Sequence, residues 1–300
     1  MLVATICTFL LTRRDEAIQQ PRLMVCAPSN KAVAVLADRY LTAVKTKPSP
    51  FNAALVGDKH KILNEDRLRF RDIYVYDWVP SMLNELIGIC RFLSPRTQKQ
   101  VECFFTKLCN KIPPYDIDTM TQDIVAKVRA RDREGLREAI KKVESELKKK
   151  ERDIQSHLLN QANVIFCTLS SAGSSLIKRS KCVEALIIDE AAAAIEPESY
   201  IPIASSGPRR IMIVGDPKQL PVTVMSPYTK TFGLEESLQE RLMFKEMHPY
   251  TMLNVQYRMT PEISVFPSSA FYNDKICDGP NVTHTAYQSP VCCRLVTNRA

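Results

Sequence analysis

The sequence has 300 residues, of which 45% are hydrophobic and 25% are charged, a balance typical of a globular chain with one large domain or two small ones. The 41 Lys and Arg residues outnumber the 33 Asp and Glu residues, and the formal net charge of +8 is compatible with a polyanionic partner such as nucleic acid. The ten cysteines include no CxxC pair and the four histidines show no mutual spacing, which excludes a recognisable zinc-ligand pattern or disulfide framework.

The cysteines and the first residues of the chain bear on localisation. Cysteines without a pairing pattern are typical of free thiols in a reducing compartment. Residues 1–11 are apolar, but no basic segment precedes them, and the run is shorter than the roughly 20 residues that a membrane-spanning helix needs. We therefore expect no signal peptide, no membrane partner and a nuclear or cytoplasmic location.

Strand-like and helix-like apolar segments alternate at both ends of the chain. After an apolar opening helix and a first strand, residues 30–41 have the pattern of a helix. The predicted strands cover residues 22–26, 51–56, 163–167, 185–188 and 210–214. Apolar strands that alternate with helices are typical of a parallel sheet covered on both faces. The residues expected in its buried strands are Leu23, Val25, Val164, Phe166, Leu186, Ile188, Ile211 and Ile213.

Residues 76–159 interrupt this alternation and are expected to form a mainly helical insertion. Apolar side chains recur near its end at spacings of three, four or their sum, which predicts one face of a single long helix. They are Leu136, Ile140, Val143, Leu147, Ile154 and Leu158, with Lys150 in the one vacant position. Eleven bases and seven acids lie between positions 127 and 153. This surplus is consistent with a solvated helix of a helical hairpin and also with an additional nucleic-acid contact.

Two adjacent carboxylates, Asp189 and Glu190, directly follow the apolar segment Ala185–Ile188. At the carboxyl end of a parallel strand, an Asp can bind Mg²⁺ through water while the next Glu polarises the water that attacks a γ-phosphate. The same pattern also arises where the Asp is simply the N-cap of a helix.

Two further segments carry groups suited to phosphate and base contacts. The next apolar strand runs into Gly215, Asp216 and Gln219, where a turn would present the Gln219 amide beside the two carboxylates. Further along the chain, Tyr257 offers a flat ring for stacking and Arg258 offers a guanidinium for phosphate charge. Three such elements in this order indicate a functional site rather than a coincidence of composition.

These segments together resemble the core motifs of the superfamily 1 RNA and DNA helicases of the senataxin-like group. Segments 25–30 and 164–173 look like the first two nucleic-acid-contacting motifs of that family. Residues 189–190 look like its Walker B element, residues 215–219 like its coupling motif, and residues 256–259 like the motif at the junction with the second motor domain. The resemblance implies an α/β fold with the parallel sheet of RecA-like P-loop NTPases, with ATP and Mg²⁺ as cofactors and single-stranded RNA or DNA as partner.

The resemblance also implies roles for individual residues. Asp189 would bind Mg²⁺ and Glu190 would activate water, while Gln219 and Arg258 would complete the catalytic set at the γ-phosphate. Tyr257 would lie against the base of ATP. Gly215 and Asp216 would contribute to nucleotide binding. The residues expected to grip the backbone of a single strand are Pro28, Ser29, Asn30, Thr168 and Ser170.

The implied domain organisation has three parts. An incomplete first motor domain would comprise residues 1–57 and 163–255, with the insertion at 76–159, and residues 256–300 would form the junction and the start of a second motor domain. We expect the core of an ATP-driven 5′-to-3′ translocase. The alternative is a non-hydrolysing nucleic-acid-binding or interaction module with the same fold. RNA and DNA are not distinguished, because that choice depends on contacts to the 2′-hydroxyl.

The sequence departs from the family pattern in two places. No segment has the form GxxxxGK followed by Ser or Thr, the loop whose amides and lysine cradle phosphates. We therefore expect the first strand and this loop to be missing from the chain. Ala193 stands where family members commonly carry Gln, which removes one polar contact but leaves Asp189 and Glu190 in place.

Overall fold

The computed structural model describes residue 6 and residues 21–46, 52–58, 70, 73–91, 95–109 and 117–283. The chain divides into two compact units, Met1–Glu240 and Arg241–Ala300. The predicted opening helix lies outside the described residues except for Ile6, which is helical and buried. The predicted division into motor domains and insertion stays a prediction.

The first unit contains a five-stranded sheet in which every pairing is parallel. Its strands are β1 (Leu23–Ala27), β2 (Ala53–Val56), β3 (Val164–Thr168), β4 (Ala185–Ile188) and β5 (Arg210–Ile213), in the order β2-β3-β1-β4-β5. Every strand lies within two residues of its predicted bounds. The predicted α/β class with a parallel sheet is therefore confirmed.

Both faces of the central strands are buried. On one face, Val25 and Phe166 pack against helix α1 (Asn30–Thr46), and the ring of Phe166 lies 5.6 Å from that of Tyr40. On the other face, Ile165 and Ile188 pack with residues from the segments that flank β3. Six of the eight residues predicted in buried strands are fully buried, which is where apolar burial stabilises most, at about 1.5–3 kcal/mol per large side chain.

Strand β5 is the exception, and the prediction of burial there is wrong. Ile211 is 44% exposed and Ile213 is only partly buried. Among the described strands, β5 pairs with β4 alone, so it forms one edge of the sheet. The apolar side chains of β5 are therefore not buried by the described residues.

The described residues between β2 and β3 are mostly helical, apart from turns and a β-bridge that joins Tyr74 to Leu55. A 3-10 turn at Val75–Asp77 precedes five helices. They are α2 (Trp78–Ile89), α3 (Pro95–Cys109), α4 (Ile117–Arg129), α5 (Arg133–Lys149) and α6 (Glu151–Gln161). These helices share a core of their own, in which Leu86, Val101, Ile124 and Ile154 have no exposed surface. The expectation of a helical rather than a sheet-like insertion agrees with these elements.

The prediction of a single long helix through residues 136–158 is wrong, because α5 and α6 are separated by Lys150. Its backbone has φ −100° and ψ 8°, and its N–H donates to the carbonyl oxygen of Glu146. Helix α6 then begins with two acidic residues in its first turn, and their negative charge interacts favourably with the positive end of the helix dipole. The predicted apolar face survives the break, since Leu136, Val143, Leu147 and Ile154 are all buried.

Short elements complete both units. In the first unit, helices α7 (Leu169–Ala172) and α8 (Ser175–Lys178) follow β3, while α9 (Glu196–Ser206) precedes β5. Helices α10 (Pro227–Lys230) and α11 (Leu238–Glu240) close the unit. The second unit has a parallel pair, β6 (Val255–Gln256) and β7 (Cys277–Asp278), with α12 (Pro261–Tyr272) between them and α13 (Pro280–Thr283) after them. None of the described helices is long and apolar enough to cross a membrane.

Candidate functional site

Four of the predicted motifs meet at one edge of the sheet. Ala27 and Thr168 are paired in register at the ends of β1 and β3. The backbone N–H of Asp189 donates to the carbonyl oxygen of Cys26 at 2.8 Å, and Val214 N–H donates to that of Ile188 at 2.8 Å. The loops that follow β1, β3, β4 and β5 therefore start side by side at the carboxyl edge. This is the edge where open α/β sheets bind ligands.

Asp189 is a half-buried carboxylate next to a second acid. Burial is the main cause that raises its pKa, and the charge of Glu190 raises it further. A hydrogen bond from the Glu190 backbone and the charge of Arg39 act in the opposite direction. Asp189 is not the N-cap of a helix. The residue that precedes the 3-10 turn Ala191–Ala193 is Glu190, and no side-chain hydrogen bond caps that turn. A nearby cation would therefore stabilise the charged form of the Asp189 side chain.

Glu190 has a left-handed backbone, with φ 54° and ψ 35°. A residue with a side chain pays roughly 1–2 kcal/mol in this conformation. Two backbone hydrogen bonds hold the turn that follows it: Ala191 N–H donates to the carbonyl oxygen of Val214 at 2.9 Å, and Ala193 N–H donates to that of Glu190 at 3.0 Å. The strain places an exposed carboxylate just beyond Asp189, and strained residues of this kind cluster at functional sites.

Gly215 brings the coupling turn directly against the turn that follows Glu190. A Cβ atom on Gly215 would lie 2.9 Å from the amide nitrogen of Ala192 and 3.0 Å from that of Ala191. Both are backbone atoms, so neither can move aside. Glycine at this position is therefore a packing requirement, and it joins the two predicted motifs physically.

Gln239, which the sequence did not single out, packs against Gly215 on the same side as the amides of Ala191 and Ala192. The residue is only 8% exposed, its Nε2 donates to the Gly215 carbonyl oxygen at 2.9 Å, and its Oε1 would meet a Cβ on Gly215 at 2.3 Å. Nothing in the local pattern of residues 234–240 marks this glutamine, because the contact joins positions 24 residues apart. Gln239 fixes the position of the coupling turn.

The coupling turn orders its own side chains. Asp216 accepts from the backbone N–H of Lys218 at 3.1 Å through one carboxylate oxygen, and from Gln219 Nε2 at 2.9 Å through the other. The Gln219 side chain is exposed and tethered to Asp216 in this way. Asp216 therefore shapes the turn, and the proposed contacts of Asp216 and Gln219 with nucleotide stay predictions.

Two of the predicted strand-gripping hydroxyls serve as helix caps. Ser29 Oγ accepts from Ala32 N–H at 3.1 Å at the start of α1. Thr168 Oγ1 accepts from Ser171 N–H at 3.1 Å and donates to Ser171 Oγ at 2.8 Å, and Thr168 is buried. Ser29 and Ser170 are exposed, whereas Pro28 and Asn30 are partly exposed. The surface that these loops offer is thus formed by their outward groups and by main-chain atoms.

In the second unit, Gln256 closes the turn that carries Tyr257 and Arg258. Its Oε1 accepts from the N–H groups of Arg258 at 2.8 Å and Met259 at 2.7 Å, while its Nε2 donates to Met259 O at 2.6 Å. The same Nε2 also donates to Asp278 Oδ1 at 2.5 Å. Gln256 is therefore structural, and it leaves Tyr257 and Arg258 exposed on a fixed turn. Because both belong to the second unit, their approach to Asp189 stays a prediction.

The acidic pair fits Mg²⁺ bound together with a nucleotide. Within the described part of the chain, no group of three or more metal-ligating side chains is present. Mg²⁺ at such sites takes one or two protein carboxylates and completes its ligands with phosphate oxygens and water. Asp189, with a pKa raised by burial and a neighbouring acid, offers a carboxylate whose charge such a cation would offset.

Comparison with known protein families agrees with the geometry of this edge. A family model described as an AAA domain matches residues 1–227, and a second model with the same description matches residues 234–298. An open parallel sheet with an acidic pair and a coupling turn at its carboxyl edge belongs to the P-loop NTPase class of motor domains. Within that class, the chain belongs to the superfamily 1 helicases that include SEN1 and senataxin.

Three relatives illustrate the similarity. Helicase SEN1 of Saccharomyces cerevisiae is 32% identical over 294 residues, which cover 89% of this chain and 13% of that protein. The probable helicase senataxin of Mus musculus is 28% identical over 293 residues, or 86% of this chain and 11% of that protein. The probable helicase MAGATAMA 3 of Arabidopsis thaliana is 44% identical over 130 residues, which cover 43% of this chain and 16% of that protein. The chain spans less than a fifth of the length of each of these relatives.

Proposed function

We propose that this chain is part of the motor core of an ATP-dependent helicase, which couples ATP hydrolysis to translocation on single-stranded nucleic acid in the full-length protein. The observation that carries the proposal is the position of Asp189 and Glu190, at the same sheet edge as the coupling turn and the loops after β1 and β3. A site that hydrolyses ATP and a surface that grips a strand would thus share one rigid edge.

Residues of this edge and residues of the second unit would divide the chemistry among them. Asp189 would hold Mg²⁺, which when bound offsets triphosphate charge, and Glu190 would orient the attacking water and accept its proton. Gln219 and Arg258 would contact the γ-phosphate, and Tyr257 would lie against the base. Asp216 and Gly215 support nucleotide binding by shaping the turn that carries Gln219.

Strand binding would use the loops after β1 and β3. Pro28, Ser29 and Asn30 after β1, and Ser170 after β3, lie near neighbouring strand ends and would contact the sugar-phosphate backbone. Thr168, at the buried end of β3, would contribute through main-chain groups and through its cap on the turn that carries Ser170. Such contacts fix position without reading sequence. The strand is RNA or DNA, and parallel affinity measurements on both would decide between them.

The test of catalysis is Glu190→Gln in the full-length protein. The substitution keeps size and hydrogen bonding but removes the proton acceptor, so we expect strand-stimulated phosphate release to fall at least about a hundredfold while nucleotide affinity is kept. Glu198→Gln, in the first turn of α9, is a matched control that should leave the rate unchanged. Unchanged hydrolysis in Glu190→Gln would remove Glu190 from the role of base.

The alternative, a non-hydrolysing nucleic-acid-binding module, is favoured by one observation: none of the 300 residues forms a GxxxxGK loop. For the same reason we propose that this chain by itself binds a single strand weakly and releases no phosphate. Fluorescence anisotropy with a labelled oligonucleotide should show affinity that falls steeply with salt. Phosphate release by this chain that disappears in Glu190→Gln would contradict the proposal, and salt-insensitive or absent binding would contradict the strand-gripping assignment.

A further inference from the structure

Gly279, at the end of β7, leaves space that the ring of Tyr257 occupies. A Cβ atom on Gly279 would lie 3.0 Å from the backbone oxygen of Gln256, which is a tight contact. It would lie closer still to the ring of Tyr257, at 2.3 Å from Cδ1 and 2.4 Å from Cε1. Both distances are far below any real carbon contact, so a side chain at position 279 and this ring position exclude each other.

Gly279 is not needed for the course of the backbone. The only described glycines with positive φ are Gly207 and Gly233, so an alanine at position 279 would not need a left-handed backbone, and its closest contact would be the Tyr257 ring rather than the Gln256 backbone oxygen. The backbone on both sides is also fixed: Gly279 N–H donates to Gln256 O at 2.8 Å, and Asn281 Nδ2 donates to Tyr257 O at 3.0 Å. What a side chain at position 279 would change is therefore the direction of the Tyr257 ring.

The ring of Tyr257 lies against Gly279 along one edge, and more than half of the residue is exposed. Its Cδ1–Cε1 edge rests on Gly279, while Tyr257 as a whole remains 58% exposed. An exposed tyrosine on a fixed turn is ordinarily free to change rotamer. The missing side chain at position 279 lets this ring settle in one orientation close to the backbone, which lowers the entropy that is lost when a flat ligand stacks on it.

We propose that Gly279 is a specificity-determining residue, which holds the Tyr257 ring in the orientation that stacks on the base of the nucleotide. The proposal rests on the proposed function, in which Tyr257 contacts the base of ATP. Gly279 touches no ligand itself in this scheme. It acts through the ring, so its effect should appear only with ligands that have a base.

The experiment compares ATP with ribose 5-triphosphate, which lacks the base, on the full-length protein. In Gly279→Ala we expect the KM for ATP to rise about tenfold, with kcat within about twofold of its original value. Inhibition by ribose 5-triphosphate should be unchanged. Gly88→Ala is the matched control, because a Cβ on Gly88 meets nothing within 4 Å, and it should alter neither constant.

Tyr257→Ala separates the possible outcomes. If Gly279 acts through the ring, adding Gly279→Ala to Tyr257→Ala changes the KM for ATP no further. A raised KM in Tyr257→Ala with an unchanged KM in Gly279→Ala overturns this inference alone. An equal loss of affinity for ATP and the base-free triphosphate overturns it as well. A full-length protein without any strand-stimulated hydrolysis overturns the proposed function, and this inference with it.

Thermal unfolding keeps the test decisive if Gly279→Ala destabilises the protein. The added methyl meets the Tyr257 ring at 2.3 Å and the backbone oxygen of Gln256 at 3.0 Å, so removal of the ring relieves the closer contact. The double variant should therefore recover most of the melting temperature that Gly279→Ala loses. A double variant as unstable as Gly279→Ala would show that the contact with Gln256, not the ring, limits position 279, which contradicts the inference.

Discussion

Replacing Glu190 with glycine should make the protein more stable while removing its proposed catalytic base. The residue has φ 54° and ψ 35°, a conformation that glycine adopts freely. Its side chain is exposed and adjoins the like charge of Asp189. The strain and the carboxylate therefore reside in one residue, and two substitutions can separate them.

The expected magnitude follows from two opposing terms. Relief of the left-handed strain contributes roughly 1–2 kcal/mol. The greater freedom of glycine in the unfolded chain costs roughly 0.5–1 kcal/mol. Glu190→Gly should therefore exceed Glu190→Ala in stability by roughly 0.5–1 kcal/mol, because alanine keeps the Cβ atom and removes the same charge. For a domain of this size the melting temperature should differ by roughly 1–4 °C.

The assay is thermal unfolding at pH 7 of both variants and of the chain without substitutions, monitored by circular dichroism. Comparing the two variants with each other cancels the loss of the carboxylate and of its repulsion with Asp189. Both should abolish phosphate release in the full-length protein. A Glu190→Gly variant no more stable than Glu190→Ala would refute the assignment of strain to this residue.

Three further outcomes are expected in unfolding experiments on the same chain. Gly215→Ala should destabilise by about 1–3 kcal/mol, because its methyl meets two backbone amides, whereas Gly88→Ala should be neutral or stabilising by up to about 1 kcal/mol; equal effects would contradict this account of Gly215. Asp189→Asn should stabilise at pH 7, since a raised pKa means that the charged form is disfavoured in the folded state, and the gain should fade as the pH falls towards 3.8, the ordinary value; a gain that grows at low pH would contradict the raised pKa. Asp132→Ala should lower stability by about 1 kcal/mol, because Asp132 Oδ1 accepts from Gly135 N–H as the N-cap of α5, and Asp132→Asn should restore most of the loss; an alanine variant of unchanged stability would contradict that role.

Apolar patterning was sufficient to predict the sheet. Strands that are buried on both faces are continuous apolar runs, so their first and last residues are easy to recognise. Ala185–Ile188 matches its predicted range at both ends. The same reasoning wrongly predicted that Ile211 is buried. Apolar composition indicates that a strand can be buried, whereas its actual exposure depends on which elements lie beside it. The break at Lys150 had one visible sign, a base in an apolar position, but spacing alone continues through a single irregular residue.

Motif resemblance located the carboxyl edge of the sheet, but it missed two residues that support the turns of the motifs, one in each unit. Asp189 and the turn at Gly215 lie on neighbouring strands, which the order of apolar segments implied. Gln239 and Gly279 were not predicted, because each acts through one contact with a residue more than 20 positions away. A single sequence contains no record of such contacts, and only packing shows them.

The order of the strands has a consequence for synthesis on the ribosome. Strand β1 pairs with β3, and Cys26 and Cys167 on these two strands are separated by 141 positions. At roughly 5–20 residues per second, β1 waits on the order of 7–28 s after its synthesis before β3 exists. Helices α2 to α5 and the start of α6, whose buried residues form a core of their own, are all made during that interval. They are therefore expected to fold first, and the sheet that bears the acidic pair is completed around a helical region that is already in place.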